Sequence, residues 1–188
     1  MQPLHPIPHV DAYNAWALDF VGPLTKTKRG NQYLLTAIDL GTDWMIAQAI
    51  PKRSSDAVIS MLNYIIYTYR KPISILTDNR EEFLLYQVQN LLQHFDIQHC
   101  HTTPYHPQTN GHVEKFNNVL TQMLAWMSAP DRQTTWDECL PSALLAHCAY
   151  SSLSTGMSPF FLLYGKEACL PEERVLKKLQ RDPMDEEN

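Results

Sequence analysis

The chain has 188 residues, of which 44% are hydrophobic, with a formal net charge of −5 and a pI near 5.9. This length and composition predict one globular domain with a real core, and no apolar run reaches the roughly 18–20 residues of a membrane span. The acidic balance argues against a chain that binds nucleic acid strongly by itself, since such chains present a basic face. It does not exclude an enzyme that acts on nucleic acid, because clustered active-site carboxylates add negative charge.

The first 14 residues are predicted to form a Pro-rich linker. They carry three prolines within eight residues and lack the basic stretch followed by an apolar stretch that marks a secretory signal. The four cysteines, at positions 100, 139, 148 and 169, form no CxxC pair. They are therefore predicted to be reduced, partly buried thiols of an intracellular protein.

Three short apolar segments follow the linker and are predicted to be strands, at residues 16–24, 33–40 and 44–50. Polar or Gly-containing turns separate them, which predicts an antiparallel meander. Further along the chain the predicted elements are a helix at 56–69, a strand at 73–78, a helix at 82–95, a strand at 97–102, a long helix to about 127, a helix at 136–152 and a short helix at 158–165. This order predicts one α/β core domain over residues 15–170, a mixed sheet with helices on its faces, followed by a charged, flexible tail over 171–188.

Three acids occupy positions that suit catalytic carboxylates. Asp19 lies in the first predicted strand, Asp78 ends the fourth, and Glu114 lies near the start of the long helix. Acids at strand ends of an α/β sheet face the crevice in which ligands bind. Converging carboxylates repel one another unless cations neutralise them, and two divalent metal ions are a known arrangement for phosphodiester chemistry. Mg²⁺ suits such a site because it prefers oxygen ligands.

Each of these acids also has a purely structural interpretation. Asp at a strand end is commonly a turn former or helix cap, and Glu near a helix start complements the helix dipole. Asp39 and Asp43, at the end of the second strand and in the following turn, compete with Asp19 for the catalytic role. The pattern alone does not rank them.

The segments WALDFVGPL, ILTDNREEF and TTPYHPQTNGHVEKFN together resemble the integrase core of retroviruses and gypsy-class LTR retrotransposons. Between Asp78 and Glu114 lie 35 residues, the spacing that this family holds between its last two catalytic acids. The segment STGMSPFFLLYG resembles the element that follows the core. The resemblance extends over roughly residues 6–171 and implies an RNase H-like fold, a five-stranded mixed sheet flanked by helices.

The resemblance implies that Asp19, Asp78 and Glu114 are the catalytic triad and hold two Mg²⁺ or Mn²⁺ ions. The implied activity is polynucleotidyl transfer, in which water nicks the DNA ends of the element and the freed 3′ hydroxyl attacks target DNA. DNA is the implied partner, a homodimer or higher oligomer the implied assembly, and the nucleus the implied place of action. The zinc domain and the basic C-terminal domain that flank the core in this family have no counterpart in the sequence.

Residues around Glu114 acquire roles through the same resemblance. Contacts with DNA are expected for His106, Gln108, Thr109, Lys115 and Asn117. Asn110 and Gly111 are predicted to form a mobile loop that admits DNA. A solvated lysine without a function is an equally good interpretation of Lys115. The group His99, Cys100, His101 and His106 matches none of the usual zinc spacings, so no zinc site is predicted there.

One position departs from the family pattern next to the second acid. The family usually has Asp-x-Gly-x-Glu-Phe, whereas residues 78–83 read DNREEF and place Arg80 at the glycine position. Glycine at such a turn often supplies a positive φ or close backbone approach, so Arg80 is predicted to be strained or to crowd the site. Its cation is expected to pair with Asp78 or Glu81 and to compete with metal. Cys148 likewise stands where relatives often carry arginine.

These departures suggest a copy with reduced or absent activity. The alternative function is therefore a catalytically silent core that serves as a nucleic-acid-binding or oligomerisation module. An RNase H-type nuclease would share the fold and the metals. The PQTNG run and the 35-residue spacing match integrases instead.

Overall fold

A computed structural model of the chain describes residues 11–101, 107–128, 134–152 and 155–170, without the side chains of 107–110. The strands are β1 (Ala15–Val21), β2 (Tyr33–Asp39), β3 (Met45–Ile50), β4 (Ser74–Thr77) and β5 (Gln98–His101). The helices are α1 (Ser55–Thr68), α2 (Glu81–Leu84), α3 (Tyr86–His94), α4 (Pro107–Met127), α5 (Trp136–Ala149) and α6 (Pro159–Tyr164). No helix in these described ranges is long and apolar enough to cross a membrane.

The strands form one five-stranded sheet in the order β3-β2-β1-β4-β5. The first three strands pair antiparallel, whereas β4 pairs parallel to β1 and β5 parallel to β4. The predicted five-stranded mixed sheet is therefore confirmed. Because β1, β4 and β5 run in the same direction, their carboxyl ends meet at one edge of the sheet.

Alternating residues of β1 divide the core into two apolar layers. Trp16, Leu18 and Phe20 face the layer that includes α1 and α3, while Ala17 faces the layer that includes α4 and α5. The helix α1 begins because the Ser54 hydroxyl accepts a hydrogen bond of 3.3 Å from the Ala57 amide. Its buried apolar stripe then packs onto the sheet, and each such buried Leu or Ile side chain stabilises the fold by about 1.5–3 kcal/mol.

The single helix predicted over residues 82–95 is wrong in detail, since the structure has two helices there. Leu85 separates α2 from α3 with extended dihedral angles of φ −60° and ψ 146°. Phe83 is fully buried against Phe20, with ring centroids 5.0 Å apart, whereas Leu85 and Tyr86 are exposed. The break rotates α3 so that Val88 and its apolar neighbour one turn later can reach the core.

The loop predicted at Asn110 and Gly111 is also wrong, because both residues lie inside α4. The helix begins at Pro107, and proline suits a first helical position because its fixed φ is already helical and its missing N–H is not needed there. A glycine within the helix weakens it by only about 1 kcal/mol, which a 21-residue helix packed on the sheet tolerates. The carboxylate of Glu114 is therefore carried by a helix two turns past its start.

The packed unit begins slightly earlier than the predicted core. Tyr13, placed in the linker by the sequence pattern, stacks on Tyr69 with ring centroids 5.3 Å apart. Its backbone N–H also donates a 2.8 Å hydrogen bond to Oδ1 of Asp39. At the other end, Gly165 ends α6 in the left-handed conformation, with φ 64°, as its position after the short apolar helix predicts.

Candidate active site

Asp19, Asp78 and Glu114 line one cleft of about 150 Å³ at the edge where β1 and β4 end. Asp19 is the fifth residue of β1, and Asp78 directly follows β4. The adjacent helix α4 brings the side chain of Glu114 to the same cleft. The three acids selected from the sequence therefore line one cleft, Asp19 and Asp78 through the parallel pairing of β1 with β4 and Glu114 through α4.

The Asp19 carboxylate is partly buried and held in place by two hydrogen bonds. Its Oδ1 accepts a 2.7 Å bond from the Phe20 amide, and its Oδ2 accepts a 2.9 Å bond from Nδ2 of Asn117. Burial raises the pKa of Asp19 above its ordinary value and the charge of Asp78 adds to this, while the Arg80 guanidinium and the two hydrogen bonds oppose it. A cation placed beside Asp19 would stabilise its charged form.

Arg80 lies in the same cleft and contacts both strand-end acids. Its Nε is 2.9 Å from Oδ2 of Asp78, and its Nη1 is 3.6 Å from Oδ1 of Asp19. Nη1 also donates a 2.8 Å hydrogen bond to the carbonyl oxygen of Phe20. The predicted pairing with Asp78 is confirmed, and the partner on the other side is Asp19 rather than Glu81.

The backbone of Arg80 is not strained, which corrects the expectation drawn from the missing glycine. Arg80 has φ −66° and ψ 144°, an ordinary extended conformation, and precedes the first residue of α2. Its N–H donates a 3.0 Å hydrogen bond to Oδ1 of Asp78. The turn thus tolerates a side chain, and the consequence of the arginine is electrostatic rather than conformational.

Carboxylate oxygens are the ligands that Mg²⁺ and Mn²⁺ prefer, so the chemistry of this donor set fits such an ion. In the described part of the chain, however, no three His, Cys, Asp or Glu side chains are placed to hold one metal ion together. Asp78 is engaged by Arg80 through both carboxylate oxygens. Asp19 and Glu114 also line a second, adjoining depression that reaches Gly22, whereas Asp78 does not.

The residues predicted to contact DNA separate into three groups. Asn117 is only 5% exposed, and its amide donates to Asp19 and accepts a 3.0 Å hydrogen bond from the Thr36 hydroxyl, so little of its surface is left for DNA. Lys115 is exposed but lines a different depression, beside His147. Gln108 and Thr109 lie in α4 without described side chains, and His106 lies outside the described residues.

The two competing aspartates have structural environments away from the cleft. Asp39 is fully buried, and its carboxylate accepts hydrogen bonds from the Tyr13 amide and, at 2.6 Å, from the Thr42 hydroxyl. Burial raises its pKa, against these hydrogen bonds. Asp43 is 2.7 Å from Nε2 of His112 and accepts a 2.6 Å bond from the Ser152 hydroxyl. Neither Asp39 nor Asp43 lines the cleft that Asp19 shares with Asp78 and Glu114.

The sequence pattern missed a hydrogen-bonded chain behind Asp78. The Thr77 hydroxyl donates to the carbonyl oxygen of Asp78 at 2.8 Å and lies 2.9 Å from Nε2 of His99. The amide Nε2 of Gln89, which can only donate, lies 2.9 Å from Nδ1 of His99. Nδ1 is therefore the acceptor, and the neutral ring donates from Nε2 to Thr77. Burial, with a smaller contribution from His101, lowers the pKa of His99 to about 4.

The sequence does not reveal these hydrogen bonds, because the residues that form them come from β4, α3 and β5. Only the parallel pairing of β4 with β5 brings them together. A period-two pattern around His99 would have indicated a side chain on one face of the sheet, but not its partners. Cys148, the other departure from the family pattern, is buried. Its thiol donates a weak 3.8 Å hydrogen bond to the Met45 carbonyl, and burial raises its pKa to about 11.

Residues 10–107, just over half of the chain, match the model of the integrase core domain family. The chain is 31% identical over 182 residues to the Gag-Pol polyprotein of avian reticuloendotheliosis virus, covering 88% of this chain and 15% of that one. It is 26% identical over 162 residues to the Pol polyprotein from transposon 412 of Drosophila melanogaster, covering 86% of this chain and 13% of that one. The chain thus spans less than a sixth of these polyproteins.

Among solved structures, the fold is similar to the HTLV-2 integrase catalytic core domain in complex with magnesium, which is known in trimeric and dimeric forms. The trimeric form has a TM-score of 0.67 and 20% sequence identity, over 81% of this chain and 97% of that one. The five-stranded mixed sheet is accordingly the RNase H-like sheet of the retroviral integrase cores. On the family match over residues 10–107, this chain belongs to the integrase core domain family.

Proposed function

We propose that this chain is the catalytic core of an integrase that joins the DNA ends of a retroelement to target DNA by metal-dependent transfer of phosphodiester bonds. The observation that supports the proposal most directly is the convergence of Asp19, Asp78 and Glu114 on one cleft at the carboxyl ends of β1 and β4. The resemblance of the three motifs implies the same acids, and the shared cleft supports that assignment.

Asp19 and Glu114 are the residues that would hold Mg²⁺ or Mn²⁺, which activates a nucleophilic oxygen and stabilises charge on phosphate when bound. Asn117 fixes the rotamer of Asp19 from the buried side, so that one face of the carboxylate is directed to the cleft. Thr77 donates to the carbonyl oxygen of Asp78, and His99 of β5 contacts the Thr77 hydroxyl, so the two side chains position the end of β4. The chain thus contributes positioning and charge neutralisation rather than a covalent intermediate.

DNA is the proposed substrate, and the nucleus the proposed place of action, since the target of integration is host DNA. A homo-oligomer is the proposed assembly, supported by the dimeric and trimeric forms of the similar HTLV-2 core. The net charge of −5 suggests that strong DNA affinity comes from further subunits or from segments beyond this core.

The test is metal-dependent nicking and joining of a labelled DNA duplex by the purified chain. We expect Mn²⁺-dependent activity that falls at least about 100-fold in Asp19→Asn, Asp78→Asn and Glu114→Gln. Glu81→Gln is the matched control, because Glu81 is an exposed acid of α2 that does not line the cleft. Activity that survives all three cleft substitutions would refute the assignment of the site.

A second candidate function is favoured by the contacts of Arg80. A cation that already engages Asp78 and Asp19 suits a core that has lost catalysis and serves as a nucleic-acid-binding or oligomerisation module. A folded chain that self-associates or binds DNA without any metal-dependent nicking supports this second function. Nicking that depends on Glu114 excludes it.

A further inference from the structure

We infer that Arg80 is a built-in cation of the acid cluster, so that the site takes a single divalent metal ion, between Asp19 and Glu114, instead of two. The inference deepens the proposed function and rests on it, because it concerns how many metal ions the same cleft accepts. Arg80 is then a functional part of the site and not a replacement that only impairs the site.

The first support is that Arg80 is fixed from four directions. Its Nε lies 2.9 Å and its backbone N–H 3.0 Å from the two different carboxylate oxygens of Asp78. Its Nη1 lies 2.8 Å from the Phe20 carbonyl oxygen and 3.6 Å from Oδ1 of Asp19. The guanidinium is thus held by one carbonyl oxygen and two carboxylates, and its rigid planar shape means that little side-chain entropy is lost for each hydrogen bond formed.

The second support is that Arg80 binds both oxygens of Asp78, approaches Asp19 only at 3.6 Å and does not contact Glu114. Both oxygens of Asp78 have donors on Arg80, whereas Glu114 has an exposed side chain and, within the described residues, no hydrogen bond or ion pair. Asp19 and Glu114 are shared by the cleft and the adjoining depression. A cation entering there meets two carboxylates and no competing arginine nitrogen on the side of Glu114.

The third support is the charge of the cluster. Three ionised carboxylates carry three negative charges, and a guanidinium, which stays protonated in proteins, cancels one of them. One divalent ion completes the neutralisation before any substrate binds. Two such ions would leave an excess of two positive charges in a cleft of about 150 Å³, where like charges repel strongly at short range.

The test counts bound Mn²⁺ per folded chain, with free Mn²⁺ measured by electron paramagnetic resonance. We expect one ion for the parent chain, one for Arg80→Lys, which keeps a cation, and two for Arg80→Gln. Arg53→Gln is the matched control, because Arg53 pairs with Glu82 at 3.2 Å outside the cleft, and it should bind one ion. Circular dichroism establishes that each variant is folded.

A second pair of variants tests the location of the ion without changing Arg80. We expect Glu114→Gln to weaken Mn²⁺ binding at least about tenfold more than Asp78→Asn does, since Asp78 is engaged by Arg80. Two ions in the parent and two in Arg80→Gln would overturn the inference while leaving the proposed function intact. No binding at millimolar Mn²⁺ in either chain would overturn both the inference and the metal-dependent function.

Discussion

Nδ2 of Asn117 donates a 2.9 Å hydrogen bond to Oδ2 of Asp19, and this bond connects α4 to β1 beside the cleft. The other end of the same amide, Oδ1, accepts a 3.0 Å hydrogen bond from the Thr36 hydroxyl of β2. One buried side chain therefore links the helix that carries Glu114 to β1, which carries Asp19, and to its neighbour β2.

We expect Asn117→Ala to lower the free energy of unfolding by about 1–3 kcal/mol, because it removes the hydrogen bonds to the partly buried Asp19 carboxylate and to the buried Thr36 hydroxyl. Asn118→Ala is the control, since Asn118 is exposed on the same helix and its loss should cost no more than about 0.5 kcal/mol. Urea unfolding of the two variants measures the difference. Equal stabilities would show that the Asn117 amide does not tie the helix to the sheet.

Arg80→Gly tests whether the arginine strains its turn. We expect the glycine variant to be less stable by about 1 kcal/mol, because a partly exposed ion pair is lost and glycine adds entropy to the unfolded chain. The dihedral angles of Arg80, φ −66° and ψ 144°, leave no strain for glycine to relieve. A glycine variant that unfolds at higher urea than the parent would restore the interpretation of Arg80 as a strained replacement.

The strands were predictable because their signals are local: apolar runs ended by turn residues indicate them. The same runs did not separate Asp19 from Asp39 and Asp43, and the three acids were selected by the resemblance of the motifs around them. The inward direction of Asn117 was not predictable, because its partners, Asp19 and Thr36, are remote in the chain. Periodicity places Asn117 on the helix face of Glu114 but does not tell which of the two reaches solvent.

The environment of Arg80 shows the same limit. The sequence shows a cation two residues after Asp78, and the pairing between them follows from that proximity. The contacts with Asp19 and Phe20 exist only because β1 and β4 are parallel neighbours in the sheet. Backbone dihedral angles at a turn likewise depend on the fold around it, so the expected strain could not be decided from the missing glycine.

Acid should destabilise the fold through His99. Burial lowers the pKa of His99 to about 4, and the ordinary value is about 6.5. Between these values the unfolded chain binds a proton that the folded chain does not, so stability present above pH 6.5 is lost as the pH falls towards 4. With the ring half exposed and screened by solvent, the loss is of order 1 kcal/mol.

Urea unfolding at several pH values between 4.5 and 7.5 checks this slope. His99→Gln should flatten it, because glutamine can still bond to Thr77 but does not titrate. His94→Gln, at an exposed position of α3, should leave the slope as in the parent. His147 adds to the pH dependence of the unfolding free energy with the same sign in all three proteins, since burial also lowers its pKa. An unchanged slope in His99→Gln would contradict the assignment.

The last prediction contrasts a glycine in a turn with a glycine in a helix. Gly22, which follows β1, has φ 124°, and an added Cβ would lie 2.8 Å from the Gln32 carbonyl oxygen and 3.0 Å from Cδ1 of Tyr33. Gly22→Ala should therefore destabilise the fold by more than about 2 kcal/mol. Gly111 lies in α4 with nothing within 4 Å of an added Cβ, so Gly111→Ala should stabilise it by about 0.5–1 kcal/mol.

Thermal unfolding of the two alanine variants provides the comparison, and their effects should have opposite signs. The Gly111 variant also tests the start of α4, because alanine favours a helix and gives no such gain in a loop. If Gly111→Ala lowers the unfolding temperature, Gly111 is not helical in solution. The loop expected from the sequence would then be restored, and Glu114 would lie on the first turn of a shorter helix.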